Sequence, residues 1–314
     1  MSVTLTPPTA ASSRNAVLFR ADATALPLAD ASVDLIVTSP PYGAGIEYDA
    51  GGDVLADEWP AFMMAWLAEA IRVTKPSGRL ALNVPLDMTT GGPTVGHARL
   101  SRPTYHQAIA AALSVGWLYK ATITWDKHHH KKGNRGLGSL NSAARPHPID
   151  PTETVILFSR GEWGPSSDRP DDIAPADWQE YCLGPWRFPG LPRRKGGHPA
   201  PFPAELPRRC IRLFSRVGDV VLDPFLGSGT TVVVALTEGR QGIGCDRSDA
   251  YLRAEAQLIG STPLQLRAGT GCQMCHQQMT GRRRDAETCS ARCRQQAYRQ
   301  RLQVSSTRGS EIAA

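Results

Sequence analysis

Four consecutive residues, Ser39-Pro40-Pro41-Tyr42, place hydrogen-bond acceptors beside an aromatic ring. The two prolines fix the backbone and remove two amide donors, which leaves carbonyl groups and the Ser39 hydroxyl facing outward. An exocyclic amine on a ring offers two N–H donors and a π-face, and this arrangement matches both. We expect Tyr42 to stack on such a ring. We expect Ser39 and the Pro40 carbonyl to accept hydrogen bonds from the amine and bring its nitrogen toward tetrahedral geometry. By itself, Pro-Pro-Tyr is also common in turns and proline-rich ligands.

A second group, Asp223-Pro224-Phe225-Leu226-Gly227-Ser228-Gly229-Thr230-Thr231, lies between an apolar strand and an apolar helix. Glycines at the carboxyl end of a parallel strand let a ligand approach the backbone. A phosphate-binding Walker loop is excluded because the group has no lysine. The dinucleotide fingerprint Gly-x-Gly-x-x-Gly is excluded by the residues after Gly229, and the hydrolase elbow Gly-x-Ser-x-Gly is excluded by Leu226.

An acidic residue before a glycine loop favours a cationic ligand over pyrophosphate. Asp223 would attract the positive amino acid part of such a ligand. The next predicted strand ends at Asp246, a position suited to ribose hydroxyls. The pattern therefore predicts a nucleoside that carries an ammonium group. The alternative is a tight turn with a helix-capping aspartate. The predicted contacts in the loop are Phe225, Gly227, Ser228, Gly229 and Thr230.

These groups sit in a chain whose apolar runs alternate between strand and helix spacing, which predicts a doubly wound α/β fold. The runs are rich in β-branched residues and bounded by turn residues, as in buried parallel strands. The predicted strands are Val33–Thr38, Arg79–Val84, Lys120–Trp125, Thr154–Phe158, Val220–Leu222 and Gln241–Cys245. The predicted helices are Glu58–Val73, Thr104–Val115, Ala204–Phe214, Thr230–Glu238 and Ala250–Leu258.

The order and content of the two motifs resemble those of the amino-methyltransferases of DNA. In the β group of that family, the catalytic motif precedes the cofactor motif, as Ser39–Tyr42 precedes Asp223–Thr231 here. The resemblance covers roughly Asn15 to Leu258. It implies a Rossmann-like, seven-stranded, S-adenosylmethionine-dependent methyltransferase fold with one antiparallel strand. It also implies double-stranded DNA as the substrate, base flipping and direct methyl transfer.

The resemblance extends to further residues. It implies that Asp22 lies near the cofactor adenine, and that His198 and Phe202 belong to a segment that covers the methionine end of the cofactor. Serine at the first catalytic position resembles the cytosine-N4 enzymes, whereas the adenine-N6 enzymes more often carry Asp or Asn there. Cytosine C5 methylation is not expected, because it needs a nucleophilic cysteine, typically after proline, and no Pro-Cys pair occurs.

Between Asp126 and Gly197 the sequence is dense in Pro, Gly, Trp and charge, with one clear strand. A long irregular segment in a compact domain is usually functional, and residues 127–197 are expected to face DNA. Its tryptophans are expected to pack rather than to stack on bases, and its three adjacent histidines to lie in a basic loop rather than at a metal. The predicted DNA contacts in this segment are Lys127, Lys131, Lys132, Arg135, Arg193, Arg194 and Lys195.

Four cysteines near the carboxyl end, Cys272, Cys275, Cys289 and Cys293, have the spacing of a closed tetrahedral site for structural Zn²⁺. A disulfide pairing would need an oxidising compartment. Of the formal net charge of +6, the stretch from Cys272 to Arg301 carries +5. We expect this module to contact DNA phosphates through Arg282, Arg283 and Arg284, or to dock on the main domain or a protein partner.

The resulting organisation is a disordered segment at 1–13, a methyltransferase domain at 14–268, a zinc module at 269–303 and a disordered tail at 304–314. Neither a signal peptide nor a membrane span is indicated, so a cytoplasmic protein of a prokaryotic nucleoid or a phage is expected. A cognate restriction endonuclease is a candidate partner. Two other classes stay open: a DNA-binding regulator on a methyltransferase shell that has lost turnover, and an RNA methyltransferase.

Overall fold

The computed structural model describes residues 16–48, 51–88, 94–95, 98–127, 138–139, 142–148, 150–191, 202–259 and 265–268. The strands in these ranges are β1 (Ala16–Arg20), β2 (Val33–Thr38), β3 (Glu47–Tyr48), β4 (Gly51–Gly52), β5 (Thr74–Pro85), β6 (Thr94–Val95), β7 (Ala98–Arg99), β8 (Leu118–Asp126), β9 (Thr152–Ser159), β10 (Trp186–Arg187), β11 (Val220–Asp223), β12 (Gln241–Asp246) and β13 (Gln265–Ala268). The helices are α1 (Trp59–Val73), α2 (Thr104–Ser114), α3 (Pro175–Cys182), α4 (Glu205–Phe214), α5 (Thr230–Thr237) and α6 (Asp249–Ile259).

One large mixed sheet organises the described residues, in the order β10-β8-β9-β5-β2-β11-β12-β1-β13. Strand β9 runs antiparallel to both of its neighbours, β5 and β8. Every other pair of neighbouring strands in this sheet is parallel. The prediction of an α/β fold is confirmed, and the sheet of the described residues has more strands than the expected seven. The sheet has nine strands because two short strands, β10 and β13, extend its edges.

The strands and helices predicted from apolar spacing are all present, and most of their ends differ by no more than two residues. The exception is β5, which begins at Thr74 instead of Arg79. Thr74 pairs with Val33, and the register then shifts so that Arg79 pairs with Leu35. Residues 75–78, Lys-Pro-Ser-Gly, form the irregularity between these two pairs. Because proline, serine and glycine are typical of turns, the sequence predicted a later start for this strand.

Both faces of the sheet are covered, which explains why every residue of β2 is buried. Side chains of Ile36 and Leu82 belong to the cluster that includes α1 and α2. Those of Leu35 and Val37 belong to the cluster that includes α4 and α5. The apolar residues of the central strands are therefore consecutive instead of alternating, as in Leu35–Val37 and Leu80–Leu82.

At the amino end of the sheet, the buried carboxylate of Asp34 ties three strands together. It accepts hydrogen bonds from Lys75 Nζ at 2.8 Å and from the Val220 amide at 2.9 Å. The Ser166 hydroxyl donates to the same carboxylate at 2.8 Å. These contacts join β2, the start of β5 and the start of β11, and so fix how the central strands align.

The segment expected to be irregular is more ordered than its composition suggested, because α3 and β10 lie within it. Trp186 is completely buried, and its indole N–H donates to the Tyr181 carbonyl at 2.9 Å. The Arg209 guanidinium lies over the rings of both residues. Trp163 is partly buried beneath Arg79. The packing prediction is therefore confirmed for Trp186 and Trp163, but it is wrong for Trp178, which is 53% exposed.

Among the described residues, no helix combines the length and apolarity needed to cross a membrane.

Trp186→Ala is expected to lower the free energy of unfolding by about 3–5 kcal/mol, because a fully buried aromatic side chain is lost and a cavity is left. The exposed Trp178→Ala is the matched control, with an expected change within about 0.5 kcal/mol. Urea unfolding followed by circular dichroism measures both. Equal effects of the two substitutions would contradict the described packing.

Candidate active site

The two sequence motifs meet at the carboxyl edge of the sheet. Strands β2 and β11 are parallel neighbours, with Leu222 paired to Ile36. Just beyond these pairs, the Thr38 hydroxyl donates a hydrogen bond of 2.7 Å to Asp223 Oδ1. Ser39 follows Thr38 directly, so the start of the Ser-Pro-Pro-Tyr loop and the start of the glycine loop lie beside each other.

Asp246 and the glycines shape the second loop. The Gly227 amide donates to Asp246 Oδ2 at 2.9 Å, and the Leu226 amide donates to the Cys245 carbonyl at 2.9 Å. Both glycines of the loop have positive φ, +50° at Gly227 and +69° at Gly229. The backbone thus turns sharply between β11 and α5, and it is held against the end of β12.

Asp223 is a buried carboxyl group that holds the loop from within. Its Oδ1 also accepts a hydrogen bond from the Phe225 amide at 3.1 Å. Burial raises the pKa of Asp223 to about 6, although the hydrogen bonds from Thr38, Thr231 and Phe225 act in the opposite direction. A cationic ligand placed beside this group would favour its ionised form.

Glu255 is a second buried carboxyl group in this region, and the motif analysis did not identify it. It lies on α6, and burial raises its pKa to about 7. A Cβ atom on Gly229 would lie 1.9 Å from the Glu255 carboxyl carbon. Gly229 is therefore required both by its positive φ and by the space that Glu255 occupies. The available signal was helical spacing, since Glu255 follows buried Leu252 by three residues.

The hydroxyl groups of the first loop form a chain. Ser39 Oγ lies 2.5 Å from Tyr42 Oη, and Tyr42 Oη donates to the Asn83 carbonyl at 3.1 Å. Because Tyr42 has one hydroxyl proton, Ser39 donates to Tyr42 when Tyr42 donates to Asn83. The lone pairs of Ser39 Oγ can then accept a hydrogen bond from an incoming amine.

Asn83 is a site residue that the sequence analysis missed. It is buried in β5, and its Nδ2 donates to the Thr154 carbonyl at 3.1 Å. The signal was a single amide side chain within the apolar run of β5, near the carboxyl end of the strand. That run was interpreted only as a strand.

Comparison with known proteins classifies the chain. Residues 33–257 match the profile of the N6/N4 DNA methylases. The chain belongs to this DNA methylase family. The Type II methyltransferase M.MjaVI of Methanocaldococcus jannaschii is 35% identical over 169 residues, which cover 54% of this chain and 82% of that protein. M.SmaI of Serratia marcescens is 27% identical over 256 residues, which cover 72% of this chain and 84% of the relative.

Solved structures share the fold of this methylase. The Thermus thermophilus protein TTHA0409, in complex with S-adenosyl-L-methionine, aligns with a TM-score of 0.59 at 24% identity. That alignment covers 80% of this chain and 98% of the Thermus chain. The cytosine-N4-specific PvuII DNA methyltransferase aligns with a TM-score of 0.55 at 20% identity, covering 81% and 89% of the two chains.

The other residues predicted to bind the methylase cofactor lie around the same edge. Asp22 is exposed just after β1, which pairs with β12 through Arg20 and Asp246. Phe225 packs edge-to-face on Trp66 at 5.3 Å between ring centroids. Phe202 is half-buried against the cluster that includes α4. The hydroxyls of Ser228 and Thr230 lie 3.1 Å apart at the start of α5. His198 lies outside the described residues.

Lys127 is the predicted DNA contact that the structure describes. Its Nζ forms an ion pair of 2.5 Å with Glu153 and lies 5.5 Å from the centre of the Trp125 ring. The other predicted DNA contacts lie outside the described residues, namely Lys131, Lys132, Arg135, Arg193, Arg194, Lys195, Arg282, Arg283 and Arg284.

The predicted zinc ligands Cys272, Cys275, Cys289 and Cys293 also lie outside the described residues. Within the described ranges, no cluster of three or more His, Cys, Asp or Glu side chains could hold a metal. The cysteines of those ranges are free, and burial raises the pKa of the Cys210 and Cys245 thiols.

Asp223→Asn is expected to change how stability depends on pH. The folded-state pKa of about 6 lies above the ordinary value of 3.8, so folding favours the protonated group. Its contribution to stability is therefore greatest below about pH 4 and is lost as the pH rises through 6. Without ligand, the variant should match the wild type near pH 4 and be more stable by up to about 3 kcal/mol at pH 8.

Denaturant unfolding between pH 4 and pH 8 measures this difference. Asp34→Asn serves as a matched control, because it removes a buried carboxylate paired with Lys75 and should be less stable than the wild type at pH 8. Glu255→Gln should likewise become more stable than the wild type as the pH rises toward about 7, because the pKa of Glu255 is also raised. An Asp223→Asn curve parallel to that of the wild type would show that Asp223 does not titrate in this range.

Proposed function

We propose that this methylase transfers a methyl group from S-adenosyl-L-methionine to the exocyclic N4 of cytosine in double-stranded DNA. The hydrogen bond between Thr38 and Asp223 carries the proposal, because it joins the loop suited to the methyl donor to the loop suited to an amine. The family match supports DNA as the substrate. The Thermus thermophilus complex supports the methyl donor, and the PvuII enzyme, described as cytosine-N4-specific, supports the base.

The residues of the glycine loop fit the methyl donor. Gly227 and Gly229 leave the backbone open to close approach, and the buried Asp223 carboxyl provides the negative charge that a cationic ligand stabilises. Asp246 would hold the ribose, and Asp22 would lie near the adenine. When bound, S-adenosyl-L-methionine supplies an electrophilic methyl group on a positively charged sulfur.

The first loop would act on the DNA base. A cytosine flipped out of the duplex would stack on Tyr42, and its amine would donate hydrogen bonds to Ser39 Oγ and to the Pro40 carbonyl. These acceptors would draw the amine hydrogens out of the ring plane, so that the nitrogen lone pair leaves conjugation with the ring and becomes available for attack. The Asn83 carbonyl would keep the Tyr42 hydroxyl proton directed toward itself, so that Ser39 donates to Tyr42. The lone pairs of Ser39 Oγ would then face the amine.

Purified protein incubated with labelled methyl donor and varied double-stranded DNA is expected to yield N4-methylcytosine in nucleoside mass spectrometry. Ser39→Ala should lower kcat on the order of 10²-fold, because one acceptor aligned for the transition state is lost. Leu113→Ala should leave kcat unchanged, since that side chain is exposed at the carboxyl end of α2, at the edge of the sheet opposite to the two loops.

The product identifies which proposal fails. N6-methyladenine without N4-methylcytosine would replace cytosine by adenine as the target, which the family also includes. Methylation of RNA in preference to DNA would change the substrate class. No incorporation into any nucleic acid would favour a DNA-binding regulator on a methyltransferase shell.

The relatives named above are Type II methyltransferases. By analogy, we propose that this methylase protects DNA against a cognate restriction endonuclease, with residues 127–197 contributing to recognition of the target. We propose that the boundary between the methyltransferase domain and the cysteine module lies after residue 268, where β13 ends.

The four clustered cysteines are proposed to bind one structural Zn²⁺. Purified protein should contain about one zinc per chain by plasma mass spectrometry, and the double variant Cys272→Ser/Cys275→Ser should lose it, because two of four thiolate ligands are gone. Cys182→Ser is the control and should retain the metal. Full zinc occupancy in the double variant would exclude this ligand set.

A further inference from the structure

Side chains from outside the Ser-Pro-Pro-Tyr loop bind its later carbonyl groups. The indole N–H of Trp59, at the start of α1, donates to the Pro41 carbonyl at 2.8 Å. The Arg102 guanidinium donates through Nη2 to the Tyr42 carbonyl at 2.7 Å and to the Gly43 carbonyl at 3.2 Å. Three consecutive carbonyls are therefore engaged by two side chains.

Arg102 is an unusual residue for this position. It is 7% exposed, and within the described ranges it forms no ion pair with a carboxylate. Its remaining contacts are a hydrogen bond of 3.4 Å to the Ala56 carbonyl and the face of the Trp59 ring, 5.7 Å away. Burial lowers the pKa of Arg102, and the charge of Asp53 acts in the opposite direction.

The opposite side of the same backbone is held by an anion. Asp53 accepts hydrogen bonds from the Gly43 amide at 3.0 Å and from the Ala44 amide at 2.5 Å. Gly43 has a φ of +68°, and a Cβ atom there would lie 2.9 Å from Arg102 Nη2. The peptide groups after Tyr42 are thus fixed between a cation that binds their carbonyls and an anion that binds their amides.

The Pro40 carbonyl differs from the three that follow it. Across the described part of the chain, it accepts no hydrogen bond. We propose that Trp59 and Arg102 are positioning residues for methyl transfer: they bind the carbonyls of Pro41, Tyr42 and Gly43 and leave the Pro40 carbonyl open to the amine of the base. This inference rests on the proposed function.

Arg102→Ala tests the inference, with methyl incorporation per folded molecule as the readout. Releasing the carbonyls of Tyr42 and Gly43 should lower kcat between 10-fold and 10²-fold, the range expected for a small misplacement of reacting groups. Binding of S-adenosyl-L-methionine should change less than twofold, because the Arg102 guanidinium contacts Tyr42, Gly43, Ala56 and Trp59 and none of the residues of the glycine loop. Ethylguanidinium at millimolar concentration should restore part of kcat in this variant and none in Ser39→Ala. Trp59→Phe, which keeps an aromatic side chain but removes the indole N–H, should also lower kcat.

Arg240→Ala is the matched control. Arg240 is also a buried arginine that binds carbonyls, those of Ser215 and Glu238, and it additionally pairs with Asp172. It precedes β12 at the amino edge of the sheet, away from the Ser-Pro-Pro-Tyr loop. Its loss should reduce stability without changing kcat per folded molecule. An Arg102→Ala enzyme with wild-type kcat, or one whose loss of activity equals its loss of folded protein and does not respond to ethylguanidinium, would overturn this inference alone. A wild type that transfers no methyl group would overturn the proposed function and this inference with it.

Discussion

The alignment of β2 against β11 is the constraint on which the rest of the site depends. It is fixed at both ends by buried carboxyl groups. At the amino end, Asp34 accepts the Val220 amide, and at the carboxyl end, Asp223 accepts the Thr38 hydroxyl. Because side chains alternate along a strand, a shift by one residue would turn these groups to the wrong faces. The two loops meet in one place only while this register holds.

Two buried acids lie next to the glycine loop, where burial disfavours their charge. Asp223 and Glu255 both have raised pKa values because burial disfavours their charged forms. Asp223 is placed where a bound cation would offset the cost of its charge. Arg102 is a buried cation in the other loop region, and its guanidinium donates to the carbonyls of Tyr42 and Gly43.

The sheet edges and the segment before α4 show where interpretation from sequence was incomplete. Strand β10 has two residues, too few to show any periodicity, and its pairing depends on Trp125 and Asp126 in β8. Helix α3 begins at a proline and has one buried residue, Tyr181, so it lacks the apolar stripe that identifies a helix. Trp186 and Phe188 became core residues only because β8 and α4 supply the surface against which they pack.

The sequence by itself determined the α/β order, the central strands and the two motifs, because these depend on local features: apolar period, glycine placement and the residue types of short consecutive runs. Only the tertiary structure identified Asn83, Arg102 and Glu255. Each contacts a loop that is distant from it in the chain. The sequence around a single polar residue in an apolar run, or before a helix, does not indicate which distant residue it will contact. The contact between Thr38 and Asp223 has the same origin. Residues 185 positions apart become neighbours because β2 and β11 pair in parallel, and strand order is a property of the whole sheet.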